Sequence, residues 1–175
     1  GNDPPTLGAL TNYTIPSSTP FILTASGSDP NGDELTYCWE EADLGPSITL
    51  ADGDNGSSPL FRSFNPTNNA SRTFPCLATI LNNMTSTVER LPTTTRALNF
   101  KVTVRDNRSG CGGVNSTSVT IFVTSNAGPF QVSSPNTTQT LSGVITATWQ
   151  VAGTTSTPVN CATVDILLST DGGLT

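Results

Sequence analysis

The amino-acid sequence predicts an all-β fold, an immunoglobulin-like β-sandwich followed by a second, truncated β-sandwich. Three observations carry that expectation. Apolar and polar residues alternate with a period of two over Leu35–Glu41, residues 96–106 and Val114–Thr124, the spacing that puts successive side chains on opposite faces of a sheet. The chain holds 30 Thr, 19 Ser, 15 Gly, 15 Asn and 13 Pro, a mixture of β-branched and turn-forming residues suited to short strands and frequent turns. No heptad and no sustained 3.6-residue period is present, and no apolar run approaches the ~18 residues of a membrane span.

Residues 1–20 read as a linker and an irregular first strand, because Pro4, Pro5, Pro16 and Pro20 each remove a ladder donor. Phe21, Leu23 and Ala25 alternate with Ile22, Thr24 and Ser26 and predict a strand. Ser28-Asp-Pro-Asn-Gly-Asp-Glu34 is dense in turn formers. The next strand, Leu35–Glu41, places Leu35, Tyr37 and Trp39 on one face and Thr36, Cys38 and Glu40 on the other. Residues 42–95 form a long insertion, too long for a plain loop, with an apolar knot at Leu60–Phe64 and a helix of one or two turns expected over 76–83. Leu98, Phe100, Val102 and Val104 then point inward from one strand, and Val119, Ile121 and Val123 from the next. The Gly-rich stretch Asp106–Gly113 joins these two strands as a hairpin. This first unit spans 1–125. A second, partial unit, 126–175, contains the expected strands Val144–Val151 and Val164–Ser169, with Trp149 in its core, and ends in the turn Asp171–Thr175.

Charge and composition narrow the chemistry. The net charge is −6, with seven Lys and Arg and no His. A nucleic-acid binder needs a basic stripe to neutralise phosphates, and none is present. Without His, the commonest general base and zinc ligand is missing, and no Ser nucleophile can be assigned a base. Glu40 and Glu41 are adjacent on a strand, so they cannot flank one glycosidic bond. Asp52 and Asp54 read as loop solvation. These residues point to a non-catalytic protein.

Two constellations remain. Asp29, Asn31 and Asp33 alternate around Gly32, and in an immunoglobulin-type topology Asp106 and Asn107 fall at the same end of the sandwich. Five oxygen-bearing side chains there form a candidate Ca²⁺ site; the competing reading is a solvated turn whose carboxylates cap backbone N–H groups, with Asp106 paired to Arg105 or Arg108. The four cysteines lack CxxC spacing. An even number in an acidic β chain fits an oxidising compartment, with Cys76–Cys111 the favoured disulfide and Cys38–Cys161 a second candidate. Free thiols are the alternative. Trp39 reads as core, and Tyr13, Phe61 and Phe64 are the only candidates for a carbohydrate-stacking platform.

Ser28-Asp-Pro-Asn-Gly-Asp-Glu-Leu-Thr-Tyr-Cys-Trp39 resembles the strand pair of polycystic-kidney-disease-type and related cadherin-like sandwiches of bacterial surface proteins, and Phe100–Asn107 resembles their penultimate strand and turn. More narrowly, residues 2–175 resemble the region downstream of the catalytic domain in secreted reprolysin-like metallopeptidases of the Bacteroidetes. The stretches that match are Pro59–Pro66, Arg105–Arg108, Ala127–Phe130 and Val164–Gly173. The resemblance implies a secreted or cell-surface parent, a fibronectin-like second unit, and other domains of the same parent chain as partners. It implies no catalysis here, because the zinc motif of such peptidases needs two histidines. The expected function is therefore a spacer, stabilising or interaction module. A module binding polysaccharide or a cell surface is the alternative.

Overall fold

A computed structural model describes residues 1–82, 86, 88–137, 139–167 and 169. The expected turn Asp171–Thr175 lies outside them. In chain order the strands are β1 (Thr6–Leu7), β2 (Tyr13–Pro16), β3 (Phe21–Thr24), β4 (Gly27–Ser28), β5 (Thr36–Glu41), β6 (Ser71–Phe74), β7 (Arg96–Arg105), β8 (Val114–Thr124), β9 (Gln131–Ser134) and β10 (Thr148–Gln150). A short helix, α1 (Leu77–Leu81), follows β6, and a 3₁₀ turn covers Leu50–Asp52. The fold is an all-β sandwich.

Its main sheet has the order β2-β8-β7-β5. β7 and β8 are the longest strands and form an antiparallel ladder from Arg96↔Val123 to Arg105↔Val114. Leu98, Phe100, Val102, Val104, Val119, Ile121 and Val123 are all buried on one face of it, as their alternation predicts. β5 adds Tyr37 and Trp39 to the same core. The segment expected to be irregular contributes β2, which lies parallel to β8 from Tyr13↔Ile121 to Pro16↔Thr124. Pro16 is tolerated because it ends an edge strand.

The opposing layer is the β3–β6 pair. Phe21 and Phe74 stack at 5.1 Å between ring centroids, and Phe74 reaches Phe100 of the main sheet at 4.8 Å. Phe61 from the insertion completes the cluster, edge-on to Phe74 at 5.2 Å. Phe61 is therefore core, 4% exposed, and not a stacking platform.

The insertion is tied down by buried ionic groups. Glu41 accepts the N–H groups of Leu60 (2.6 Å) and Phe61 (2.7 Å). Asp54 accepts from the backbone of Gly56, Thr93 and Thr94, and pairs with Arg96 at 2.8 Å. Its side chain is wholly buried, which corrects the expectation of a solvated loop acid. Glu89 pairs with Arg72 and receives Cys76 N–H.

Beyond Ala127 the ladder is short. β9 and β10 form a two-stranded antiparallel ribbon. Of the expected strand Val144–Val151 only Thr148–Gln150 pairs, and Trp149 is half-buried. Val164, Ile166 and Leu167 are exposed and outside any strand. Among the described residues, no strand pairs with 164–167, and position 168 of the expected strand Val164–Ser169 lies outside them.

Candidate functional site

The turn after β4 and the β7–β8 hairpin loop do meet at one end of the sandwich, and the N-terminal segment joins them. Asp29 Oδ1 accepts the N–H groups of Asn31 (2.8 Å) and Asp33 (3.1 Å). This closes a tight turn in which Gly32 takes φ 79°, a region glycine enters without steric cost. Asn31 Oδ1 accepts Asp3 N–H at 2.8 Å. Asp33 Oδ2 pairs with the Arg108 guanidinium at 3.1 Å, and the same guanidinium nitrogen donates to Asn2 Oδ1 at 3.3 Å.

Asp106 is the buried centre of the hairpin loop, 3% exposed. It accepts the Asn2 amide at 2.7 Å, Arg108 N–H at 3.1 Å and Gly113 N–H at 2.8 Å. The Asn2 amide, and then the backbone N–H groups, hold its carboxyl below the usual range against the opposing effect of burial. A Cβ on Gly113 would come within 2.6 Å of Pro4 Cα, so the close seating of the N-terminal segment requires glycine there. Asn107 turns away. Its φ is 54°, and its amide donates to Thr36 Oγ1 of β5 at 3.0 Å.

Four of the five residues named for Ca²⁺ thus serve a polar clasp whose cation is Arg108, and Asn107 serves β5. Ca²⁺ takes six to eight oxygens, largely carboxylate and carbonyl. Here the Asp106 oxygens already receive N–H donors and Asp33 is engaged by a guanidinium. Asp29 Oδ2 is the carboxylate oxygen of this set that is buried with no hydrogen-bond partner. No group of three or more Asp, Glu or Cys side chains among the described residues is arranged to hold a metal ion. Arg108, a candidate ion-pair partner of Asp106, pairs instead with Asp33, and Asn2 is the member of the clasp that the sequence does not single out. The only signal for Asn2 is an asparagine near the first residue.

All four cysteines are free thiols, so neither expected disulfide forms in this structure. The topology explains why Cys76 and Cys111 stay apart. Cys76 follows Phe74, which pairs with Phe21 just beyond Pro16 and the Thr124 end of β8. Cys111 sits at the other end, its carbonyl accepting the Asn2 amide. Cys161 is exposed, with Sγ donating to Thr163 O at 3.3 Å. Cys38 donates to Phe64 O at 3.4 Å and shares a groove with Cys76, Trp39 and Arg72. Burial, reinforced by the charge of Glu40, pushes the Cys38 thiol up, which keeps it protonated and a poor nucleophile.

The remaining candidates are scattered. Glu40 accepts from Ser63 Oγ while Glu41 is buried under the insertion. Tyr13 donates to Ile22 O, and Phe64 lies under the Arg72 guanidinium at 4.6 Å. No protein-family model matches the chain, and no curated protein is significantly similar to it.

Proposed function

We propose that this chain is a non-catalytic accessory module of a larger secreted or cell-surface protein, one that spaces or stabilises neighbouring domains. One observation carries the reading. The buried carboxylates are spent on holding loops to the sandwich: Glu41, Asp54, Glu89 and Asp106 each receive backbone N–H groups. An acid committed to two or three structural donors is poorly placed to move a proton or attack a substrate. The motif resemblance supports a metallopeptidase as the parent, with the second unit fibronectin-like.

The test has two arms. The isolated chain is expected to hydrolyse neither peptides nor glycosides, with or without zinc. Removing it from a parent peptidase is expected to lower that enzyme's thermal midpoint while leaving the chemistry of its active site intact. Turnover by the isolated chain that disappears in Glu40→Gln or Glu41→Gln would overturn the reading.

A further inference from the structure

The insertion encloses a cleft of about 580 Å³, within the ~300–1,000 Å³ common for ligand sites. It opens between the stretch 45–49, the stretch 58–62 and Arg90. Its base is aliphatic, with half-buried Ile48 and buried Leu60, and Arg62 and Arg90 lie on its walls. No carboxylate lines it. Among the described residues, no group accepts a hydrogen bond from either guanidinium and neither makes an ion pair. Arg72, Arg96 and Arg108, by contrast, are each paired with an acid. Arg90 acts at long range on Asp52, at the 3₁₀ turn, whose carboxylate receives Thr49 N–H and Oγ1–H.

The walls are built in advance. Ser58 Oγ donates to Pro46 O at 2.7 Å and joins two of them; Arg90 N–H donates to Leu60 O at 3.0 Å and joins the third. Glu41 fixes the Leu60–Phe61 backbone from behind. Gly45 permits the narrowest approach, since a Cβ there would fall 2.6 Å from Ser57 O. A cleft held this way loses little conformational entropy on binding.

We propose that this cleft binds a short peptide segment carrying a carboxylate beside an apolar side chain. The guanidiniums supply paired donors suited to a carboxylate, and the aliphatic base takes the neighbouring side chain. A phosphate would want a nest of free backbone N–H groups, but those of Leu60, Phe61 and Arg90 are spent inside the protein. A saccharide would want an exposed aromatic face, and the one aromatic at the base, Phe61, is 4% exposed and packed on Phe21 and Phe74. The net charge of −6 does not forbid an acidic ligand, because charges beyond ~8 Å are largely screened at physiological salt. The inference goes beyond the accessory reading and does not depend on it.

The test is an amide-resolved NMR titration of the full chain with acetyl-Ala-Glu-Leu-Ala-amide. Saturable shifts are expected at Gly45, Leu60, Phe61 and Arg90. The Gln-for-Glu peptide should bind about tenfold more weakly, as should Arg62→Gln or Arg90→Gln protein with the acidic peptide, the loss of one charged hydrogen-bonded contact. Both variants should keep the wild-type melting temperature. Three outcomes would overturn the proposal: no shifts in the cleft at millimolar peptide, equal binding of the Gln peptide, or tighter binding of digalacturonate than of the peptide, which would make the cleft a saccharide site.

Discussion

Glu41 carries the clearest consequence at the scale of one residue. Burial, the largest cause, and the neighbouring Asp43 push its carboxyl up to about 7, against the pull of Leu60 and Phe61 N–H. Arg96 stands 3.9 Å away, beyond hydrogen-bond length, and is committed to Asp54. A carboxyl whose folded pKa exceeds its unfolded value of 4.5 holds its proton more tightly in the native state. It therefore adds stability below about 4.5 that is lost as pH rises through about 7, on the order of 3 kcal/mol. Asp54 works in the opposite sense. Burial opposes its ionisation, but Gly56, Thr94 and Thr93 outweigh that and bring it down to about 2, so its contribution is present above about 3.8 and fades as pH falls towards 2. Thermal unfolding followed from pH 4.5 to 8 should show the midpoint falling, and Glu41→Gln should remove most of that slope; parallel slopes in the two proteins would refute the assignment. The clasp gives a second prediction. With Arg108 in place, about 10⁻³ M Ca²⁺, the range of extracellular modules, should leave the melting temperature unchanged. In Arg108→Ala the Asp33 carboxylate loses its cation, and the same addition should raise it reversibly with EDTA. A rise in wild type of the same size would instead support the Ca²⁺ site expected from the sequence.

Elements differ in how much of them could be read in advance. β7 and β8 are long enough that alternation alone decides which side is core, and Trp39 and Tyr37 follow from the same phase in β5. β2 is four residues with a proline; what makes it a strand is the free edge of β8, which lies more than 100 residues later. Phe61 and Phe74 were illegible as core because their burial depends on how the insertion folds back across the sheet. The Asp29–Asp33 turn and its nearness to Asp106 were legible from turn chemistry and topology, as was an arginine at that end, while the choice of Asp33 as its partner and the contribution of Asn2 were not. The aromatic cluster gives the matching prediction. Phe74 is fully buried and touches Phe21, Phe61 and Phe100, so Phe74→Ala should cost about 3–5 kcal/mol. Phe122, on the outer face of β8 and 47% exposed, should lose less than about 0.5 kcal/mol on the same change. Comparable losses in denaturant midpoints would mean that the inward phase of β8 is misassigned.

At the scale of the molecule, the question is where cooperativity resides. The buried cluster runs from Ile15 to Val123 and takes no member from 130–167. That later stretch leaves Val144 and Leu167 almost fully exposed, so it removes little apolar surface from water, and burial is the dominant favourable term in folding. Among the described residues, two backbone N–H bonds link it to the sandwich: Gly128 N–H to Ala152 O at 2.8 Å and Phe130 N–H to Thr19 Oγ1 at 3.0 Å. Gly128 itself belongs to the sandwich. Its φ is 98°, and a Cβ there would sit 2.2 Å from Ser17 O, so the chain must leave β8 through a glycine. Two exposed or half-exposed hydrogen bonds are worth about 1–3 kcal/mol together, a minor part of a typical domain's stability of about 5–15 kcal/mol. A chain ending after Pro129 should therefore unfold in one cooperative transition with a midpoint close to that of the full chain, whereas Gly128→Ala in the full chain should lower the midpoint by more than the truncation does. If instead the truncated chain is molten, with native far-ultraviolet but lost near-ultraviolet dichroism, then the β9–β10 ribbon is part of the folding unit and the core drawn from side-chain burial is incomplete.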